Sequence, residues 1–190
     1  MSQFREASAH GRFQPFHRGH LEYVLAAKER CAFLWIGITK YDVTPGMLNP
    51  LGKKREQPAS NPFTYFERVK MITASLVEAG VSRETFGFLP FPIETPIHLP
   101  AFLPKDVPCF TTICEQWNKE KIAVLEQAGY SVHVLWEREK VISADAIRVA
   151  ILNGDEHWRE LVPDAVAAAL DEMNAAERIR TVARMSIPSI

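Results

Sequence analysis

The sequence predicts a doubly wound parallel α/β sheet followed by short C-terminal helices. Three observations predict it. Short apolar runs alternate with stretches of helical periodicity along most of the chain. The run Ala32-Phe33-Leu34-Trp35-Ile36-Gly37-Ile38 is apolar throughout, as in a strand covered on both faces. Helical stretches are punctuated by caps and glycines, so strand and helix follow one another as right-handed crossover units. At 190 residues the chain is expected to be a single domain, with residues 1–142 forming the core and 143–190 a helical C-terminal part.

Each element follows in order. Glu6 to Phe13 reads as the first strand, with polar His10 and Arg12 near its C-terminal end. Arg18 to Arg30 reads as a helix with Leu21, Val24 and Leu25 on one face. Lys40 to Pro62 is irregular and carries Pro45, Gly46, Pro50, Gly52, Pro58 and the basic run Lys53-Lys54-Arg55. A stretch of that length is a functional or disordered loop rather than a plain connection. Thr64 and Glu67 fit a capping box that opens a helix through Ala79, with Gly80 as its stop. Phe66, Val69, Ile72 and Leu76 are expected on its buried face.

Phe86 to Leu89 is the next short strand. Pro90, Pro92, Pro96, Pro100, Pro104 and Pro108 then predict an extended, stiff connection, since no helix interior tolerates that density. Cys109 to Ile113 returns as a strand, Lys119 to Ala128 as a helix ended by Gly129, and Val132 to Leu135 as the last strand. Ser143 caps a helix to Asn153-Gly154, and Asp164 to Met173 forms another.

Composition excludes several functions. Lys and Arg number 22 against 23 Asp and Glu, a net charge of −1, so bulk electrostatic binding to nucleic acid or anionic lipid is not expected. Any bound anion must be held by a local cluster. The N-terminus lacks an export-type apolar stretch, and the apolar run 32–38 is one strand long, too short for a bilayer. Cys31, Cys109 and Cys114 are an odd number without a CxxC pair, which fits free thiols in a reducing cytosol and a cytoplasmic location. They supply too few ligands for zinc.

The chemistry concentrates in two stretches. The first is Gly11-Arg12-Phe13-Gln14-Pro15-Phe16-His17-Arg18-Gly19-His20, between strand one and helix one. Gly11 permits close backbone approach, Pro15 stiffens the turn, and Gly19 leaves space between the two histidines. Helix N-terminal amides attract phosphate, and His17 and His20 can both address the same phosphate oxygens. The competing reading, incidental or metal-binding histidines, is disfavoured by this strand–turn–helix setting. His10 and His98 read as structural or exposed rather than catalytic.

GRFQPFHRGH resembles the HxGH motif of the nucleotidyltransferase superfamily, in the form found in archaeal-type nicotinamide mononucleotide (NMN) adenylyltransferases. The second stretch, Ile142-Ser143-Ala144-Asp145-Ala146-Ile147-Arg148, is similar to that superfamily's ISxTxxR motif, with Asp145 standing at the threonine position. Asn61-Pro62-Phe63-Thr64 with Glu67-Arg68, His157 to Pro163, and Glu177-Arg178-Ile179 extend the resemblance over most of the chain. It implies a Rossmann-like nucleotidyltransferase fold in which an acceptor phosphate or phosphonate attacks the α-phosphorus of a nucleoside triphosphate and pyrophosphate leaves. Catalysis is then positioning and charge neutralisation, without a general base.

The resemblance assigns catalysis to His17, His20, Arg12 and Arg148. It assigns nucleotide and phosphate binding to Gly11, Phe13, Gln14, Gly19, Thr111, Thr112, Ile142, Ser143 and Ala144. Ser143 and the helix amides would hold the β- and γ-phosphates. Mg²⁺ is implied as cofactor, held mainly by phosphates and water, with no protein ligand assigned. Asp145 either caps its helix or meets that ion. Lys53, Lys54 and Arg55 are solvated loop charges or a lid over the acceptor, and Trp117 either stacks on a base or packs. A homo-oligomer is left open by the resemblance.

The substrate pockets depart from the family. Ile93 to Phe102 lacks the Asn and Trp that hold the nicotinamide nucleotide, and Phe110 to Asn118 replaces the small-residue turn with Asn-Pro beside the base and ribose. This pattern resembles the branch that transfers CMP from CTP to small phosphonates or phosphorylated metabolites. CTP with such an acceptor is therefore the leading expectation, NMN adenylylation from ATP the second, and a nucleotide sensor without turnover a remote third.

Overall fold

The computed structural model of the chain describes residues 3–42 and 57–185; the basic run Lys53-Lys54-Arg55 lies outside them. The elements are β1 Phe4–Gly11, α1 Arg18–Lys28, β2 Cys31–Ile38, α2 Tyr65–Glu78, β3 Phe86–Pro90, β4 Cys109–Ile113, α3 Trp117–Gln127 and β5 Val132–Glu137. Four C-terminal helices follow: α4 Ala144–Asn153, α5 Trp158–Leu161, α6 Asp164–Glu172 and α7 Ala175–Met185. The expected parallel sheet is present, in the order β3-β2-β1-β4-β5. Chain direction across the sheet reverses between β1 and β4, which makes their carboxyl ends the switch point where such sheets bind ligands.

Contacts divide the chain into two compact units. The first comprises Met1–Arg12, Gly19–Tyr41 and Gly80–Val141, and holds the whole sheet with α3 and nearly all of α1. The second comprises Phe13–Arg18, Asp42–Ala79 and Ile142–Ile190, with α2 and α4 to α7.

In the first unit, strand alternation sorts side chains to two faces. Ala7, Ala9, Leu34, Ile36 and Ile38 are buried on one. The other face holds Ser8, whose hydroxyl donates to Cys109 Sγ at 3.2 Å across the β1–β4 pair. Burial pushes the Cys109 thiol up to about 11, so it stays neutral. Over this face a core of Leu89, Phe91, Leu99, Leu103, Val107, Cys109, Leu125 and Tyr130 closes. Each large apolar side chain buried there stabilises the fold by about 1.5–3 kcal/mol.

Four of those core residues come from the proline-rich connection, so it is not the extended spacer its composition predicts. Pro96–Ala101 winds into a 3-10 helix with Pro96 at its start, where a missing N–H costs nothing. Burial of Leu99 and Leu103 turns the segment inward, and the Tyr130 hydroxyl holds it by donating to Leu103 O at 2.7 Å.

In the second unit, the capping box forms as read. Thr64 Oγ1 accepts from Glu67 N at 3.3 Å, and Glu67 Oε2 accepts from Thr64 N at 2.9 Å. The predicted buried stripe needs correction at Phe66, which is 64% exposed. The buried face of α2 is Arg68, Met71, Ile72, Ser75 and Leu76. At 3.6 residues per turn, Phe66 lies about 200° around the helix from Arg68. It lies instead under the Lys70 ammonium, 5.1 Å from the ring centre.

Candidate active site

The second unit brings two of the sequence motifs together. Residues 13–18 link β1 to α1 as a tight loop with Phe13 at φ 53° and a cis Gln14–Pro15 bond. A phenylalanine in the left-handed region is an uncommon conformation that the surroundings must enforce. Phe13 and Phe16 do so partly by packing edge to face at 5.5 Å, both fully buried. Gln14 does the rest. Its Nε2 donates to Phe63 O at 2.8 Å and its Oε1 accepts from Phe63 N at 2.9 Å, like one rung of a ladder. The Gln14 side chain therefore pins the loop to the segment before α2 rather than reaching outward.

The Gln14 carbonyl meets the second motif. Arg148, buried on α4, donates through one terminal nitrogen to Gln14 O and through the other to the Asp145 carboxylate. Asp145 thus fixes the guanidinium from one turn away. Burial pulls the Arg148 pKa down, and Asp145 only partly offsets it. A cation desolvated beyond what its partner compensates gains from a further anion. Ser143 is the N-cap residue of α4 in extended backbone, yet its hydroxyl makes no capping bond to that helix. The α4 N-terminus, with half-buried Ile142 and Ala144 beside Ser143, is a helix end suited to phosphate. His17 is buried at the end of the loop, immediately before α1, and Arg18 is held outward by Glu160 O at 2.9 Å and Asp164 at 3.1 Å.

The remaining candidates lie in the first unit. Gly11 ends β1, its carbonyl accepting from Thr39 N at 3.0 Å, and half-buried Arg12 follows. Gly19 and His20 occupy the first turn of α1, where the helix amides point back toward the loop. Thr111 and Thr112 sit on β4 and by alternation face opposite sides; Thr112 Oγ1 lies 3.7 Å from Cys114 Sγ. Trp117 opens α3 at 36% exposure, its indole N–H donating to Glu115 at 2.6 Å and Lys121 lying 5.2 Å over its ring.

Three residues make contacts that the sequence reading did not assign. Tyr23 on α1 bridges the parting strands: its hydroxyl accepts from His10 N at 3.0 Å and donates to Phe110 O at 2.8 Å. Burial raises its pKa, so the donor proton is kept. Only its place three residues beyond His20 could have signalled it. Asn118 Oδ1 accepts from Cys114 N at 3.1 Å and Glu115 N at 2.9 Å, fixing the turn into α3; a capping Asn before a helix was the available signal. Arg68, fully buried, donates from Nε to Thr64 O at 3.1 Å, and a charge in an apolar stripe gave no warning.

His10 is the fourth surprise. It is 3% exposed, stacked on Phe91 with ring centres 4.2 Å apart and planes at 3°. Gly37 makes room for the stack, because a Cβ there would come within 2.4 Å of Phe91 and 3.0 Å of His10. Burial, and secondarily the Lys121 charge, pushes the imidazole well below its ordinary pKa, so it is neutral at physiological pH. Neither ring nitrogen has a hydrogen-bond partner among the described residues, and neither does Thr111 Oγ1. Each such group costs about 1–3 kcal/mol when buried unpaired.

With this geometry in place, comparison with known proteins decides the lineage. The sequence profile of the cytidylyltransferase-like family matches residues 8–181, nearly the whole chain. The chain belongs to the cytidylyltransferase-like family. It is 41% identical over 172 residues to a phosphonoformate cytidylyltransferase of Streptomyces viridochromogenes, covering 90% of this chain and 93% of that one. It is 31% identical over 176 residues to a nicotinamide-nucleotide adenylyltransferase of Saccharolobus solfataricus, with the same two coverages. Among solved structures, a bifunctional NMN adenylyltransferase/ADP ribose pyrophosphatase of Francisella tularensis, complexed with AMP and a manganese ion, superposes with a TM-score of 0.67 at 18% identity. That match covers 96% of this chain and 52% of the other, so the chain spans about half that protein's length and shares its fold.

This cytidylyltransferase-like chain is a nucleotidyltransferase, and its Rossmann-like sheet is the one the sequence predicted. No helix among the described residues is long and apolar enough to cross a membrane. Among the described residues no group of three His, Cys, Asp or Glu side chains could hold a metal ion. What Arg148, Ser143 and the α4 amides offer suits phosphate oxygens, and those oxygens would in turn suit a hard divalent cation.

Proposed function

We propose that the protein transfers CMP from CTP to a small phosphonate, with phosphonoformate as the leading acceptor, and releases pyrophosphate. One observation carries this reading: identity to the phosphonoformate cytidylyltransferase is 41% over nine tenths of both chains, against 31% for the adenylyltransferase over equal coverage. The substitutions at Ile93 to Phe102 and Phe110 to Asn118 support it, because they change acceptor and base surroundings while the phosphate motifs stay.

In the proposed reaction a phosphonate oxygen attacks the α-phosphorus in line and the bond to the bridging oxygen of pyrophosphate breaks. The acceptor is already an anion, so no base removes a proton. His17 and His20 stabilise the α- and β-phosphate oxygens, and Arg12 and Arg148 neutralise the polyphosphate. Gly11, Phe13, Gln14 and Gly19 shape the turn that presents the histidines. Ile142, Ser143 and Ala144 offer the α4 N-terminus to the β- and γ-phosphates. Thr112 and Trp117 border the base, and the enzyme works in the cytoplasm. When bound, Mg²⁺ would supply charge neutralisation for the leaving pyrophosphate.

The test is pyrophosphate release by purified protein with CTP plus phosphonoformate beside ATP plus NMN. The expected kcat/KM for the first pair exceeds the second by more than about tenfold, a difference of 1.4 kcal/mol in transition-state binding. The reverse order identifies an NMN adenylyltransferase instead.

A further inference from the structure

The mechanism above gives no role to His10, whose two ring nitrogens share one face of the first unit with the hydroxyl of Thr111, a residue the sequence resemblance places with the nucleotide. Ser8 and Cys109 face each other across β1 and β4. His10 and Thr111 are each two residues further along, so they share that face at the carboxyl ends of the two strands, on either side of the switch point. The Lys121 charge on α3 acts on both His10 and Cys109. Both ring nitrogens of His10 and the Thr111 hydroxyl are buried and have no hydrogen-bond partner among the described residues.

We infer that His10 and Thr111 form the subsite for a second anionic group of the acceptor, a carboxylate separate from the phosphonate that reacts. The inference rests on the transfer reading above and names the acceptor class within it: phosphonates that also carry a carboxylate. Two features select a carboxylate over a nucleotide base. One face of the His10 ring is covered by Phe91 and the packing around Gly37 is tight, so the ring offers its edge rather than a stacking surface. The edge of a neutral imidazole donates one N–H in plane, and the threonine hydroxyl donates a second bond, matching the two oxygens of a carboxylate. Lys121 adds a positive field that favours an anion over a neutral ring. The nitrogens are closed to water, so bonds formed there are charge-assisted in a low-dielectric surrounding. His10 and Thr111 are thus specificity residues; neither touches the reacting phosphorus.

The test compares phosphonoformate with methylphosphonate, which lacks the carboxylate, on wild type, His10→Phe and Thr111→Val. Both Kd by titration calorimetry, with and without CMP, and acceptor kcat/KM with CTP are measured. His10→Phe keeps the stack on Phe91, and Thr111→Val keeps the strand shape, so one folded variant suffices. Wild type is expected to prefer phosphonoformate by at least about tenfold, and each variant to shrink that preference to within about threefold. In His10→Phe the CTP KM and the methylphosphonate values should move by less than about threefold. Equal losses for both acceptors, an undiminished preference in a folded variant, or a wild type with no preference or no binding overturns the subsite. CTP turnover of both phosphonates without preference leaves the transfer reading standing while the subsite falls. Phosphonoformate binding that depends on His10, without CTP turnover, does the reverse.

Discussion

Arg148 is a buried cation that gains from a bound polyphosphate, because its burial is only partly offset by Asp145. Arg148→Ala is expected to raise the KM for CTP and to lower kcat, since charge on the leaving group grows in the transition state. Arg148→Lys should recover only part of this. A single ammonium cannot donate to Gln14 O, to Asp145 and to phosphate in the fork geometry of a guanidinium. Full recovery by lysine in steady-state assays would contradict that division of donors. His20, in the first turn of α1, carries a different expectation. His20→Ala should lower kcat by roughly 10²–10³, the effect of losing one electrostatic stabiliser, with CTP binding by calorimetry changed far less.

At the scale of elements, α2 and α7 are joined through Glu67, which accepts from Thr64 N at 2.9 Å and from Arg178 at 2.5 Å. Burial pushes the Glu67 carboxyl up, but the bonds from Arg178 and Thr64 outweigh it and leave the pKa below the ordinary value. A depressed carboxylate contributes stability above its unfolded pKa and loses it as pH falls through the folded one. The urea midpoint of Glu67→Gln should therefore lie below wild type at pH 7, and the gap should close as pH drops below about 4. Tyr23 is the corresponding tie in the first unit. Tyr23→Phe leaves a buried N–H on His10 and a buried carbonyl on Phe110 unpaired and should cost about 1–3 kcal/mol by denaturant unfolding.

For the whole molecule, ligand linkage tests nucleotide choice without turnover. CTP with Mg²⁺ at a hundred times its Kd stabilises a folded protein by about 2.7 kcal/mol. In a chain of this size that raises Tm by roughly 5–10 °C. ATP at the same concentration should raise it less, and an equal or larger shift with ATP would favour the adenylyl reading. Net charge contributes nothing to this selectivity, because acidic and basic residues nearly balance over the chain. Groups beside the base, Thr112 and Trp117 in the proposed reading, must supply it.

The order of the strands and of the helices between them, the capping box at Thr64 and the two motifs that mark the family were readable from the sequence alone. Periodicity, caps and short motifs are local, so their physical causes sit within a few residues of chain. Tertiary structure decided what depends on distant partners. Phe66 faces outward because two polar residues, Arg68 and Ser75, take places on the buried stripe that hydropathy does not select. The proline-rich segment turns inward because Phe91, Leu99 and Leu103 find a core face to cover. Gln14 proves to be a clamp on Phe63, forty-nine residues away, and Asp145 a partner for Arg148. His10 read from the sequence as structural or exposed. Its unpaired nitrogens exist only once Phe91, Gly37 and β4 have closed around it, since burial is a property of packing and not of composition.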